Sequence, residues 1–403
     1  MLSLARRSTI RKPSRSLQSS DVDTVITVED NVVKARGVEF PNIWLRDNCQ
    51  CSSCVHDATR QRLIDIFEIP QDISIRSSEA DAGGINIEWS DGHKSYYKNK
   101  FLHNATGTFR ERAIVRQGLR SPSLWGSEIK DNPPTVSYED VIHEDSHGLY
   151  TLLSNIRTHG FTFIDSVPHT TSTPTESLLT RISFIRPTHY GAFYDFTADL
   201  SSKDMAYTSV SLPAHTDTTY FSDPAGLQAF HLLSHTHGTG GASLLVDGFK
   251  AARDLYDEDP DAYRILSTVN VHAHASGNDG ISIQPYRGFP VLSHDAATGF
   301  RVQVRWNTAD RAAIELPVSE TGAWYSAARK FDAVLKRQQN EYWEQLTPGR
   351  VLLFDNWRVL HGRSAFTGKR RICGAYVNRD DWVSRWKMAR WGQEEVLGRL
   401  AAG

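Results

Sequence analysis

Four cysteines in 403 residues are too few for a disulfide scaffold, and three of them crowd into Cys49, Cys51 and Cys54, a spacing that suits metal binding better than oxidation. Excess charge is also missing. The formal net charge is −2, and no lysine or arginine stripe alternates with aromatics, which argues against a polyanion-binding surface and so against a nucleic-acid partner. No apolar run reaches the ~18 residues that a membrane span needs, so the chain is not expected to cross a membrane. There is no internal repeat and no long low-complexity tract. What is present is 39% hydrophobic content in a chain long enough for one large core and a smaller satellite domain, since single cores stop growing near ~250 to 300 residues.

Residues 1–20 carry Arg6, Arg7, Arg11, Lys12 and Arg15, many serines and no acid before Asp21. This basic leader fits a mitochondrial transit peptide, hence a matrix location, and equally a basic tail of a cytoplasmic protein, with Pro13 interrupting any amphipathic helix. Residues 21–125 read as a small β-rich domain of short alternating strands such as Ile85 to Trp89, followed by the turn Ser90-Asp91-Gly92. Pro122, Gly126, Pro133 and Pro134 break regular structure, which makes 121–134 the expected linker.

The second domain, 135–403, is expected to open at Ser137 with a helical pattern through Leu149, Leu152, Leu153 and Ile156, stopped by Gly160. A strand follows at Phe161 to Ile164. Thr173 and Glu176 form the pattern of a capping box, with Pro174 at the first helical position and Leu178, Leu179 and Ile182 as the apolar stripe. Beyond Tyr207 short strands dominate: Leu227 to Leu233, Ser243 to Val246, Val269 to His274, Phe300 to Trp306, Arg350 to Phe354 and Ile372 to Val377, with one helix near Ala323 to Gln338. Many short strands with few helices predict a mainly β jelly roll.

Within that pattern, Ala214-His215-Thr216-Asp217-Thr218 sets an imidazole and a carboxylate two residues apart, on one face of an extended strand. Two histidines and one carboxylate on one side of the ion are what a non-haem iron(II) oxygenase requires, because three positions then stay open. Among sixteen histidines, His361 in Asp355-Asn356-Trp357-Arg358-Val359-Leu360-His361 is the best second histidine, directly after a strand. Nine residues on, Arg370 opens the next strand, from which a guanidinium can hold the free end of a dicarboxylate with two parallel hydrogen bonds. The competing possibility is a cupin-like barrel with structural histidines and no catalysis.

The segments HTDTTYF at His215 to Phe221, LLVDGF at Leu244 to Phe249, and DNWRVLHGR with GKRRICGAY between Asp355 and Tyr376 resemble the gamma-butyrobetaine/trimethyllysine dioxygenase family of iron(II)/2-oxoglutarate oxygenases. The resemblance runs from about Trp44 to Arg379. It implies a double-stranded β-helix with flanking helices and a small N-terminal domain, usually in a homodimer. It also implies His215, Asp217 and His361 as iron ligands, Arg370 as the 2-oxoglutarate anchor, and ascorbate to keep the iron reduced. The implied chemistry is hydroxylation of a small trimethylammonium substrate, either trimethyllysine to its 3-hydroxy product or γ-butyrobetaine to carnitine. A quaternary ammonium has no N–H to donate, so it is held by aromatic faces. Tyr190, Tyr194, Tyr207 and Tyr376 match the family's cage positions, Tyr194 standing where the butyrobetaine enzyme has tryptophan. Asp204 stands where that enzyme has asparagine, and an acid there favours an amino-acid substrate over a bare carboxylate. Asn307 and Arg311 are further pocket candidates. Finally, Cys49, Cys51, Cys54 and His93 match a structural zinc site, with His56 the competing fourth ligand. Some trimethyllysine enzymes lack those cysteines, which pulls toward the butyrobetaine alternative.

Overall fold

The computed structural model describes residues 26–118, 122–144, 147–197 and 208–401. Two compact units divide the chain, one ending at Thr108 and the other running Phe109–Ala401.

The first unit contains two three-stranded antiparallel sheets, Ile26–Glu29, Val32–Ala35, Val38–Phe40 and Ile75–Ala80, Gly84–Trp89, Lys94–Lys98. Its hairpins are tight because Asp30, Asn31 and Arg36-Gly37 accept positive φ, the conformation that two-residue turns need. Alternation puts Ile85, Ile87 and Trp89 inward, where they meet Val33, Phe40, Leu45, Tyr97 and Leu102. The Tyr97 hydroxyl reaches the carbonyl of Leu45 at 2.5 Å, tying this sheet to the short helix Asn42–Asp47 that precedes the cysteines.

The second unit is built on two larger sheets. One has six strands in the order Thr135–Ser137, Phe161–Asp165, Val351–Asp355, Leu227–Thr236, Lys369–Val377, Phe193–Thr197; the other has four, Leu212–His215, Val359–Arg363, Ser243–Asp247, Tyr342–Glu344. Strands buried on both faces explain their continuous apolar runs. Along Val351–Asp355, Val351 and Leu353 pack against the helices Gly148–His159 and Thr173–Ile182 and against Trp382 and Trp386. Leu352 and Phe354 point the other way, meeting Leu245 and Val359 of the four-stranded sheet, so the inner faces share one core.

Several expectations need correction. Besides the helix Thr321–Leu335, the region after Tyr207 holds Gly248–Glu258, Pro260–Thr268 and Arg379–Ala401, the last being two helical stretches meeting at a kink at Gly392 (φ +69°), so it is richer in helix than its strand count suggests. Gly248–Glu258 and Pro260–Thr268 are both amphipathic, the first burying Ala251, Ala252 and Leu255 and the second Ala262 and Leu266 in one close-packed face. Their start signals are also in the sequence: Asp247 accepts from the Phe249 amide, and Asp259 precedes Pro260 and accepts from Ala262. The capping box does not form, because the helix Thr173–Ile182 is preceded by Ser172 with no side-chain cap. The pattern starting at Ser137 is two helices, Tyr138–Ile142, capped by Ser137, and Gly148–His159. Gly160 ends the latter at φ +85°, and a Cβ there would lie 2.7 Å from Val359.

Of the stretch 121–134, expected as the linker, the described residues 122–134 belong with the second unit. Trp125 is buried there, its indole donating to His159 O. A buried ion pair holds the same segment: Arg358 meets both Asp247 oxygens at 3.0 and 2.8 Å and donates to Ser123 O, while the Trp125 amide donates to Asp247. Breaking such a pair from one side costs about 3 to 5 kcal/mol, so these breakers bend an anchored segment. Among the described residues no helix is long and apolar enough to cross a membrane.

Candidate active site and metal centres

Two clusters of ligand-type side chains form among the described residues, His215 with Asp217 and His361, and Cys49 with Cys51, Cys54 and His93. In the first, strand pairing does the assembly. Leu212–His215 runs antiparallel to Val359–Arg363 with His215 directly opposite His361, which brings the rings to 4.3 Å between centroids. Gly362 permits this approach, since a Cβ there would meet Leu212 O at 2.6 Å. Past the strand end the chain turns sharply, with Thr218 at φ +58°. Asn356 fixes that turn from the other strand pair: its side chain accepts from the Asp217 amide at 2.8 Å and donates to the Asp217 and Ala225 carbonyls, each at 3.0 Å. Thr216 is pinned to Trp306 through both its amide and its hydroxyl.

Asp217 therefore presents two differently used oxygens. Oδ2 accepts from Gln228 Nε2 and from the Tyr376 hydroxyl, both at 2.7 Å. Oδ1 lies 3.1 Å from His215 Nε2, close to the roughly 3 Å between neighbouring ligands around an octahedral ion with bonds of about 2.1 Å, and 3.9 Å from His361 Nε2. The His215 Nδ1 donates to Pro213 O at 2.8 Å, so in the neutral ring Nε2 is an acceptor facing an acceptor. Only a proton or a metal cation relieves that contact. Burial works to lower His215, but the hydrogen bond and charge of Asp217 outweigh it and raise the imidazole. Burial, aided by the charge of His215, pushes His361 down to about 3. Asp217 stays well below the usual carboxylate range because the two histidines overcome its burial. A neutral His361 and an ionised Asp217 are the forms that bind metal.

These groups open onto a cavity of about 710 Å³. Arg370 lines it, only 5% exposed, with Nε unbonded and, among the described residues, no carboxylate in ion-pair contact. Burial, together with Arg363 nearby, pushes it down to about 10, still cationic at neutral pH. A buried guanidinium without an anion is a costly arrangement unless a ligand supplies one, and a 2-oxoglutarate carboxylate fits.

Tyr190, Tyr194 and Tyr376 all line the cavity, Tyr194 and Tyr376 edge to face at 6.1 Å. Tyr194 is anchored by its hydroxyl on Ala229 O at 2.6 Å. Tyr220 and Trp306 join the wall and were not singled out from sequence, although Tyr220 sits inside HTDTTYF. Asp204 and Tyr207 lie outside the described residues. Asn307 lines the cavity, but its amide closes a turn, accepting from Ala309 and Asp310 amides and donating to the Asp310 carboxylate. Arg311 is not part of the lining; it stacks on Trp324 and Tyr325.

In the second cluster His93 Nε2 stands 3.3, 3.5 and 3.4 Å from the sulfurs of Cys49, Cys51 and Cys54. Tetrahedral zinc with Zn–S and Zn–N bonds of about 2.3 and 2.0 Å separates such ligands by about 3.5 Å. The turn at Asp91 delivers the imidazole, Asp91 accepting from the His93 amide and pairing with Arg46, which in turn donates to Cys54 Sγ. His56, the rival ligand, is used within its own turn, where Nδ1 accepts from the Thr59 amide.

Residues 118–376 match the family described as taurine catabolism dioxygenase TauD, TfdA family, and residues 18–103 match a gamma-butyrobetaine hydroxylase-like N-terminal family. The trimethyllysine dioxygenase of Neurospora crassa is 47% identical over 90% of this chain and 83% of its own length. The human trimethyllysine dioxygenase, named mitochondrial, is 38% identical over 85% of this chain and 81% of that one. The human gamma-butyrobetaine dioxygenase is 30% identical over 87% and 91% respectively.

Proposed function

The chain belongs to the TauD, TfdA dioxygenase family, among the trimethyllysine dioxygenases, and from that premise we propose that it hydroxylates N6,N6,N6-trimethyl-L-lysine to 3-hydroxy-trimethyllysine, the first step of carnitine biosynthesis. It is an iron(II)/2-oxoglutarate-dependent dioxygenase, turning 2-oxoglutarate into succinate and carbon dioxide. The observation that carries the substrate reading is one cavity joining an anion-seeking Arg370, the ligands His215, Asp217 and His361, and a wall of tyrosines. The step in identity from 30% with the butyrobetaine enzyme to 47% with a trimethyllysine enzyme supports the choice.

In this reading His215, Asp217 and His361 hold iron(II) from one side, and the iron supplies oxygen activation there. Arg370 takes the far carboxylate of 2-oxoglutarate. The faces of Tyr190, Tyr194 and Tyr376, with Tyr207, accept the trimethylammonium group, which has no N–H to donate and is attracted by π faces and by negative charge. Gln228 and Tyr376 keep the outer oxygen of Asp217 occupied. Substrate filling an apolar cavity displaces water from the reacting carbon, which limits unproductive oxidation.

The two sheets of the second unit are read as the halves of a double-stranded β-helix, and Cys49, Cys51, Cys54 and His93 as a structural zinc site in a separate N-terminal domain. Ascorbate as reductant, a homodimer, and a mitochondrial matrix location reached through the basic leader 1–20 complete the proposal. The mitochondrial names of mammalian relatives support the last.

Succinate release by the purified protein with iron(II), 2-oxoglutarate and oxygen, offered trimethyllysine or γ-butyrobetaine in parallel, tests the reading. Turnover with trimethyllysine in clear preference is expected. Preference for butyrobetaine overturns the substrate assignment and keeps the iron chemistry, while silence with both sinks the assignment to either substrate.

A further inference from the structure

A quaternary ammonium spreads its charge over its methyl groups and has no N–H, so its surroundings act on it through π faces and the negative ends of dipoles. The cavity wall supplies the first kind with its tyrosines. Two of their hydroxyls are spent on anchoring the rings, Tyr194 donating to Ala229 O at 2.6 Å and Tyr376 to Asp217 Oδ2 at 2.7 Å.

Gln228 supplies the second kind. It stands on the strand Leu227–Thr236 directly opposite Tyr376 of Lys369–Val377, and the two side chains line the cavity together. The residue is only 2% exposed, and its Nε2 donates to Asp217 Oδ2 at 2.7 Å. That bond forces the way round of the amide, because a carboxylate oxygen only accepts and must face the NH2 side. Oε1 is left on the other side of the group. Among the described residues that line the cavity, it is the buried side-chain oxygen that no donor reaches. Burying such an acceptor is unfavourable unless something positive comes to it.

Two features suit that oxygen to the charged end of the substrate. The amide's N–H is bonded to an anion, which draws electron density towards Oε1 and makes it a stronger negative pole than an ordinary amide oxygen. Its place is also right. The polar atoms of one amide are about 2.3 Å apart, so Oε1 lies within about 5 Å of Asp217 Oδ2, and the quaternary nitrogen of trimethyllysine is four bonds, again about 5 Å, from the carbon to be hydroxylated. A substrate with that carbon beside the metal ligands and its ammonium against Tyr194 and Tyr376 brings its charge next to Oε1.

We propose that Gln228 is a substrate-binding residue as well as a support for Asp217, its Oε1 forming a polar face of the aromatic cage that selects a charged trimethylammonium over a neutral group of the same shape. The inference rests on the trimethyllysine reading. γ-Butyrobetaine bears the same charged group, so Gln228 reads charge and leaves the choice between the two substrates to other residues.

The test pairs one side chain with one charge. Wild type, Gln228→Met and Tyr376→Phe are each given trimethyllysine and its neutral isostere 2-amino-7,7-dimethyloctanoic acid, in which carbon replaces the quaternary nitrogen, at saturating iron(II). Wild type is expected to favour the cation by about 100-fold in kcat/KM, read by succinate release, and Gln228→Met to shrink that preference to about 10-fold, with most of the loss in KM for trimethyllysine. Tyr376→Phe removes the other donor to Asp217 Oδ2 and keeps both its ring and Gln228, so its preference should stay within about twofold of wild type. Because each ratio is taken within one protein, a partly inactive preparation does not distort it, and Gln228→Leu supplies the ratio if the methionine variant does not fold. Equal losses with both substrates, leaving the ratio unchanged, would make Gln228 a support for Asp217 alone and overturn the assignment. So would a collapse as deep in Tyr376→Phe, since loosening Asp217 would then be the cause. Absence of wild-type turnover with trimethyllysine removes the functional reading and this inference together, whereas wild-type turnover with an unchanged ratio in the Gln228 variants removes the inference alone.

Discussion

The two ligand clusters are assembled by the same device and end differently. Each takes its neighbouring ligands from a short segment, Cys49 to Cys54 in one and His215 to Asp217 in the other, and receives a distant histidine from a strand or hairpin that folding brings alongside. His93 arrives on the turn before Lys94–Lys98, and His361 lies opposite its partner in a strand pair. The cysteine cluster is complete with four ligands, two of them, Cys49 and Cys54, only 1% exposed. The His/Asp cluster stops at three and faces a cavity of about 710 Å³. A filled coordination sphere favours a structural ion, and vacant positions facing a cavity favour one that must also bind substrate and oxygen. The number of ligands and the open space beside them therefore separate the two roles better than ligand identity does.

The comparison breaks most directly at His361. Replacing it with alanine should lower succinate release by about 1,000-fold or more, since a single open-sided site loses one of only three ligands, while a metal equivalent stays on the cysteine cluster. Turnover assays combined with metal analysis per chain check both halves. Retained turnover would mean that the three residues are not the catalytic metal site.

Loss of one thiolate should have the opposite signature. Cys54→Ser is expected to release the cysteine-site metal and destabilise the first unit by about 3 kcal/mol, because metal affinity at a structural site is folding free energy. Thermal unfolding with and without a chelator measures it, and His93→Ala should match the serine variant. His56→Ala should leave both metal content and unfolding unchanged; if it instead behaved like Cys54→Ser, the ligand set would be wrong.

Sequence patterns made the ligands legible because their spacing is local and their types are rare. The apolar pattern through Leu149 to Ile156, its glycine stop and the strands expected in the second unit, such as Phe161–Asp165, Leu227–Thr236 and Val351–Asp355, are equally local, which is why those elements stand close to where expected. The groups that orient the ligands are invisible at that level. Asn356 reaches Asp217 across 139 residues, and Gln228 looks like any polar residue on a strand until the strand pairs form. The helices after Asp247 and Asp259 go unrecognised in the sequence although each carries a cap signal and an apolar face, and the breakers before Pro134 imitate a linker because proline and glycine mark an irregular backbone without showing what it is anchored to. Arg311 illustrates the converse: a charged residue near a motif reads as functional, yet two aromatic faces on the neighbouring helix claim it.

Tyr376 offers the finest distinction between the clusters, because in the open one an outer hydrogen bond replaces the rigidity that a fourth ligand gives the closed one. Its hydroxyl and Gln228 Nε2 hold Oδ2 of Asp217, leaving Oδ1 to face the histidines as a one-oxygen ligand. Without the hydroxyl, the carboxylate is freer to rotate and close a second bond to the ion, at the expense of a position needed for 2-oxoglutarate or oxygen. Tyr376→Phe keeps the ring, so cation–π attraction for the substrate should survive while iron(II) affinity falls by about 10-fold, in line with the loss of an outer partner of a metal ligand. Cobalt(II) titration of the metal-free His215/Asp217/His361 site, followed by its visible spectrum, reads affinity and coordination number without turnover. Gln228→Leu should give a similar loss, and the double variant a larger one. Unchanged cobalt affinity and spectrum in the double variant would show that Asn356 and the strand pairing alone hold Asp217, and that the open cluster is as rigid as the closed one without help from its outer oxygen.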